Sequence, residues 1–155
     1  MKFNVIIGIL ALILCYLISI NFSSKYEMRR KIYEELFYFN NKLKIEVAFS
    51  KRTLLSIISE ETGLIAPLLV NYFHKNKTLN IKEFRFLKEK DIILINNYLE
   101  IIGKHDANTE LNQLEKFHLE IEEILNSCKE EEKKYKPLCV KIGISFGLII
   151  FILLL

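Results

Sequence analysis

Side chains able to do chemistry are few in this chain and thinly spread. Its 155 residues include three histidines, His74, His105 and His118, and two aspartates, Asp91 and Asp106. Glu115 and His118 make a single Glu-x-x-His, a spacing that places two metal-ligand types on one helix face. A di-iron bundle needs two such pairs and further glutamates on facing helices. The single pair supports a small metal-binding bundle only as an alternative reading. Glu122 and Glu123 are neighbours, so on a helix they point to different azimuths and do not converge. No H-E-x-x-H, G-x-S-x-G, phosphate-binding G-x-x-x-x-G-K-[S/T] or dinucleotide-binding G-x-G-x-x-G occurs in the sequence. The reading is therefore of a protein that is not an enzyme, with no cofactor and no metal.

Two glycine-containing stretches carry the remaining signal. The first is Gly103-Lys104-His105-Asp106. Gly103 suits the left-handed residue that ends a helix, and Asp106 suits the N-cap of the next one. The exposed corner between two such helices is also a candidate contact surface. The second is Gly143-x-x-x-Gly147 within an apolar run. That spacing removes side chains from one stripe of a helix and lets another membrane span pack closely.

The elements that must position these residues follow from the distribution of charge. The chain is 51% apolar and 26% charged, with no Trp, two Pro and five Gly, a composition that excludes disorder, collagen and a disulfide scaffold. Phe3 to Ile20 is uncharged over 18 residues. As a helix it is about 27 Å long, close to the ~30 Å hydrocarbon core. No A-x-A-like cleavage site follows it. Cys15 is preceded by Leu14, where lipidation calls for a small residue. An uncleaved anchor over residues 1–22 is expected. Ile142 to Leu155 is uncharged again over 14 residues. It lengthens to residues 138–155 if Lys141 snorkels to the interface.

Lys25, Arg29, Arg30 and Lys31 follow the first apolar run, and Lys129, Lys133, Lys134, Lys136 and Lys141 precede or begin the second. Only Lys2 lies outside them. By the positive-inside rule the middle domain faces the cytoplasm, and both termini face the opposite side. The three cysteines, Cys15, Cys128 and Cys139, form no C-x-x-C, which suits a reducing compartment.

Between the spans, residues 22–141 hold 21 basic and 19 acidic side chains. That balance of about +2 is not a nucleic-acid footprint, and the interleaved signs describe solvated helix faces. Apolar residues recur at helical spacing at Ile32, Leu36, Phe39, Leu43 and Val47. Ser23 or Ser24 is expected to cap that helix, unless it simply continues the first span. Ser50 or Thr53 is placed to cap a short helix through Ile57 and Ile58 to about Glu60, stopped by Thr62-Gly63. A third helix is expected from Leu64 to about His74 with Pro67 in its first turn. Asn80 is placed to cap a helix through Phe84 and Leu87. Asp91 then precedes an apolar helix from Ile92 to Ile102. The last helix begins near Asp106 or Asn108 and runs to about Tyr135. Its stripe is Leu111, Leu114, His118, Ile121, Leu125 and Cys128, close to a heptad seam. Pro137 is expected to kink or break the chain before the tail. No strand pattern competes. The fold class is all-α, a bundle of five to six helices over residues 23–137 flanked by two transmembrane helices.

The order of these features resembles stage III sporulation protein AB of endospore-forming bacteria. The resemblance covers nearly the whole chain and is sharpest from Leu94 to Leu155. It is carried by Gly103-Lys104-His105-Asp106, by Glu130, Glu131, Glu132, Lys133, Lys134 and Tyr135, and by the glycine-containing tail. Leu43, Glu46, Val47 and Phe49 resemble the family's Leu-x-x-Glu-Ile-x-Tyr run. The family commonly has Ser at the position of His105. Its Thr-Pro-Leu turn is here Lys51-Arg52-Thr53-Leu54, and the region from Lys75 to Lys88 is shorter.

The resemblance implies a structural component of the complex that links mother cell and forespore. Its helical domain would be similar to the cytoplasmic domains of type II secretion and type IV pilus platform proteins. The implied partners are other channel membrane proteins and a secretion-type ATPase, and the implied site is the membrane around the forespore. The resemblance brings no catalytic residues and leaves self-association open. A soluble fragment from about Lys25 to Lys136 is expected to be a helical monomer or weak oligomer.

Overall fold

The structure is a computed structural model and describes residues 2–49, 52–73 and 84–154. Among these residues there are five α-helices and no strand. They are α1 (Lys2–Phe49), α2 (Leu54–Ser59), α3 (Ile65–Asn71), α4 (Glu89–Ile101) and α5 (Ala107–Leu154). The two apolar runs are not additional helices. They are the first part of α1 and the last part of α5, each a helix of 48 residues. Contacts divide the chain into two compact units, one made of residues 1–28 with 128–155, the other of residues 29–127.

The 29–127 unit has an apolar core. Ile32, Leu36, Phe39 and Leu43 of α1 are 1–2% exposed, as their spacing predicts for one helix face. Ile57 and Ile58 of α2, Leu68 and Leu69 of α3, and Ile95 and Leu99 of α4 are buried with them. From α5 the core takes Leu114, Ile121 and Leu125. Each such side chain contributes about 1.5–3 kcal/mol of transfer free energy. Phe117 is also buried, while Leu111 and His118 of the expected stripe are only partly covered. The helix therefore turns its covered face slightly away from the heptad seam.

The short helices are held by specific ends. Thr53 caps α2, its Oγ1 accepting from Ser56 N at 3.4 Å. Ser50, the other expected cap, lies outside the described residues. Gly63 has φ +84°, so the turn after α2 needs a left-handed residue. Leu64 precedes α3 and has no side chain to cap it. Glu35 of α1 supplies the acceptor instead, its Oε2 taking Ile65 N–H at 2.8 Å. Pro67 sits in the first turn of α3, where its missing N–H is harmless.

Several expected boundaries are corrected. The α-helical part of α3 ends at Asn71 and is followed by a π-helical turn at Tyr72 and Phe73, while His74, like Asn80, lies outside the described residues. Phe84 to Lys88 form a turn and no helix, with Leu87 N–H on Phe84 O at 2.9 Å. Lys88 is extended and becomes the N-cap of α4, so Asp91 falls inside the first turn instead of before it. Ser23 and Ser24 cap nothing, because α1 is already running when it reaches them. Their hydroxyls donate back to Ile20 O and Asn21 O, at 2.9 and 2.7 Å.

Nor does the last helix stop at Tyr135. It passes Pro137 without a break and continues to Leu154. A mid-helix proline costs about 3 kcal/mol. Contacts with α1 in the terminal unit tie down the turns on both sides of it. Tyr135 stacks on Tyr26 with ring centroids 5.4 Å apart, and Lys136 Nζ donates to Glu27 Oε2 at 2.7 Å. On the other side of the proline, Ser19 Oγ donates to Cys139 O.

In the terminal unit the pattern of burial is inverted. Leu10, Leu14, Leu17, Ile152 and Leu153 are 59–80% exposed, whereas Gly8, Ser19, Ser23 and Gly147 are buried. Both apolar stretches are long and apolar enough to cross a membrane, and most of each is exposed.

Candidate functional site

The Gly103–Asp106 turn joins α4 to α5 and brings several charged groups together. Gly103 has φ +77° and lies against Leu54, where an added Cβ would come within 2.8 Å of the leucine side chain. The left-handed φ fixes glycine there, since the end of the Leu54 side chain can shift to make room. Asp106 caps α5, its Oδ2 accepting from Thr109 N at 3.2 Å and its carbonyl from Glu110 N at 2.8 Å. The Thr109 hydrogen bonds hold the Asp106 carboxyl below the usual carboxylate range. Lys104 and His105 are exposed, with Lys104 Nζ 4.0 Å from Glu100.

Gly103 N–H points inward, donating to Glu110 Oε1 at 2.7 Å. Glu110 is only 4% exposed, and its second oxygen, Oε2, has no hydrogen-bond partner. The buried Tyr98 hydroxyl is also unpartnered, and burial together with the Glu110 charge pushes it well above its ordinary value. Glu46 of α1 has one buried unpartnered oxygen as well, Oε2, while its Oε1 lies 3.5 Å from the Arg52 guanidinium. Glu46, Arg52, Gly103 and Glu110 line one open cleft of about 320 Å³, together with Leu43, Val47, Leu54, Ile57, His105 and Ala107. Nothing in the sequence pattern pointed to Glu46 and Glu110 converging, since 64 positions separate them.

A second polar cluster is fully enclosed. Arg29 grips Asp91 with two parallel hydrogen bonds, Nε to Oδ2 at 2.7 Å and the second nitrogen to Oδ1 at 2.8 Å. The Tyr33 hydroxyl donates to Oδ1 at 2.9 Å, and Lys88 N–H donates to Oδ2 at 2.8 Å. Asp91 and Tyr33 are 0% exposed and Arg29 is 4% exposed. Burial pushes the Asp91 carboxyl up, but the Arg29 hydrogen bonds and charge, the Lys88 N–H and the Tyr33 hydroxyl outweigh it and hold it below its ordinary value. With no solvent access, this cluster locks α4 onto α1 and offers no place for a substrate.

Glu115 and His118 do not come together as metal ligands. Glu115 pairs with Lys44 of α1, which holds its carboxyl below the usual range. The His118 ring lies against Phe37, centroids 4.7 Å apart. Among the described residues no group of three or more His, Cys, Asp or Glu side chains is arranged to hold a metal ion.

Gly143 and Gly147 both face the first part of α1 within the terminal unit. A Cβ on Gly143 would collide with Ser19 and come 3.2 Å from the Cys15 carbonyl. One on Gly147 would lie 3.2 Å from the Leu12 backbone. The stripe thus receives a partner helix from the same chain.

A family profile described as stage III sporulation protein AB matches residues 69–155, more than half of the chain. The matched region contains the Gly103–Asp106 turn, the charged helix and the glycine tail. Leu43, Glu46, Val47 and Phe49 lie before it, so the likeness established by the match is narrower than the whole chain. No curated protein and no solved structure matches. The chain belongs to the stage III sporulation protein AB family, and that membership indicates a role in sporulation.

Proposed function

We propose that this member of the stage III sporulation protein AB family is a non-enzymatic membrane platform. In this reading it is a scaffold component of the transenvelope channel complex between mother cell and forespore, needed for development after engulfment. The observation that carries the reading is the architecture of a family member. Two helices long and apolar enough to cross a membrane extend from a charged helical unit. The lysines and arginines that adjoin both apolar stretches support a cytoplasmic position for the middle unit, with both termini across the membrane.

The membrane concerned is then the mother-cell-derived outer forespore membrane. From there the helical unit meets other channel membrane proteins and a secretion-type ATPase, and a second copy of the chain is a further potential neighbour. Lys104, His105, Asp106 and the polar face of α5 are the surface offered to them. Neither metal nor nucleic acid enters this reading.

Deletion of the gene in its spore-forming host tests it. Engulfed forespores that arrest, small or collapsed, are the expected result. Normal spores would overturn the platform role.

A further inference from the structure

The cleft beside the Gly103–Asp106 turn combines two features that rarely share a surface without an occupant. Its walls are apolar, from Leu43, Val47, Leu54 and Ile57. Yet Glu46 Oε2 and Glu110 Oε2 stand in it as buried carboxylate oxygens with no donor. A buried acceptor left unpaired forfeits its hydration without replacement. Glu110 is the stronger indicator, because it is 4% exposed and its other oxygen is already committed to Gly103 N–H at 2.7 Å.

A bare metal ion fits poorly. Two carboxylates do not make a ligand set, and apolar walls contribute nothing to one. An occupant with an aliphatic stem and a cationic, multi-donor head uses both halves of the cleft. Arg52 already illustrates the attraction from the mouth. Half exposed, its guanidinium reaches Glu46 Oε1 at 3.5 Å and pairs with Glu60, leaving the inner oxygens of Glu46 and Glu110 unfilled.

We propose that this cleft receives one basic side chain, arginine or lysine, of a partner protein. Its stem lies along Leu43, Val47 and Leu54, and its head donates to Glu46 Oε2 and Glu110 Oε2. The inference deepens the platform reading and rests on it in one respect, that this surface meets another protein.

Gly103 N–H is a built-in reporter, since it donates to Glu110. In the full chain in detergent micelles, Nα-acetylarginine amide and Nα-acetyllysine amide are titrated while the Gly103 amide resonance is followed. The uncharged isostere Nα-acetylcitrulline amide serves as control. A saturable shift with the arginine or the lysine probe and none with citrulline is expected, and the stronger of the two identifies the head group. Glu46→Gln, on the partly exposed side of the cleft, is expected to weaken binding about tenfold while the fold is retained. Glu110→Gln is expected to abolish the shift.

No saturable shift with either basic probe, an equal response to citrulline, or an unaltered affinity in Glu46→Gln would overturn the proposal. Those outcomes leave the platform reading intact. Normal sporulation in the deletion strain would overturn the platform reading and leave probe binding unaffected.

Discussion

The same two long helices build both units of this molecule and obey opposite rules in each. In the 29–127 unit, α1 buries Ile32, Leu36 and Phe39, and its buried charge, Arg29, is held by Asp91. In the terminal unit, α1 exposes Leu10, Leu14 and Leu17 and buries Ser19 and Ser23. Water accounts for the first pattern, because apolar area is driven inward. The second is the pattern that a hydrocarbon solvent would produce. There leucine gains nothing by hiding, so close packing of small residues and hydrogen bonds to backbone carbonyls hold helices together. The Ser19 hydroxyl on Cys139 O and the glycines facing Cys15 and Leu12 are of this kind. One helix can therefore cross from one solvent regime to the other without a break, changing only which residue types it turns inward.

The contrast can be broken most severely at Asp91. Asp91→Ala leaves Arg29 buried without its carboxylate and should cost about 3–5 kcal/mol in the 29–127 unit, read by denaturant unfolding. Replacing both Arg29 and Asp91 by apolar residues of similar size should recover much of that loss. The pair also sets a pH dependence. The folded Asp91 carboxyl titrates below its unfolded value of about 3.9, so its contribution is full above that value and disappears as pH falls through the lower folded one. The Asp91→Asn variant should show a flatter acid limb than the wild type.

Next in size is the terminal unit. Gly143→Val drives a side chain into Ser19 and the Cys15 carbonyl and should cost about 1–3 kcal/mol in micelles. An outward change such as Ile152→Leu should stay within about 0.5 kcal/mol. Equal effects would remove the distinction between an inner and an outer face. Gly103→Ala, at φ +77° and against Leu54, should cost about 1–3 kcal/mol in the other unit. Smaller than the glycine changes is Asp106→Ala, about 1 kcal/mol through the lost cap of α5, measured by thermal unfolding.

Much of this was legible in the residues because it is local. The stripe from Ile32 to Leu43, the Thr53 cap, the Gly63 stop and the Gly103–Asp106 turn each depend on neighbours a few positions away. Ser23 and Ser24 are residue types that cap helices, but α1 is already under way where they fall. Asp91 does cap α4, from the first turn instead of the cap position, by accepting Lys88 N–H. At Pro137, expected to kink or break the helix, α5 is unbroken, with contacts of Tyr135, Lys136 and Cys139 with α1 on either side. What spacing cannot reveal is pairing across the fold. Arg29 with Asp91, Glu35 with Ile65, and Glu46 with Glu110 at one cleft are separated by 30 or more positions, and none belongs to a motif.

The division of the chain between two solvents is the claim on which the rest depends. Its most direct test is single-cysteine labelling in intact cells. The three native cysteines are replaced by serine, and Lys2→Cys or Lys104→Cys is introduced one at a time. In vegetative cells made to express the protein in the cell membrane, the account predicts that a membrane-impermeant maleimide labels Lys2→Cys in intact cells and labels Lys104→Cys only after the membrane is permeabilised. Labelling of Lys104→Cys in intact cells, or extraction of the protein from membranes by high salt alone, would contradict it.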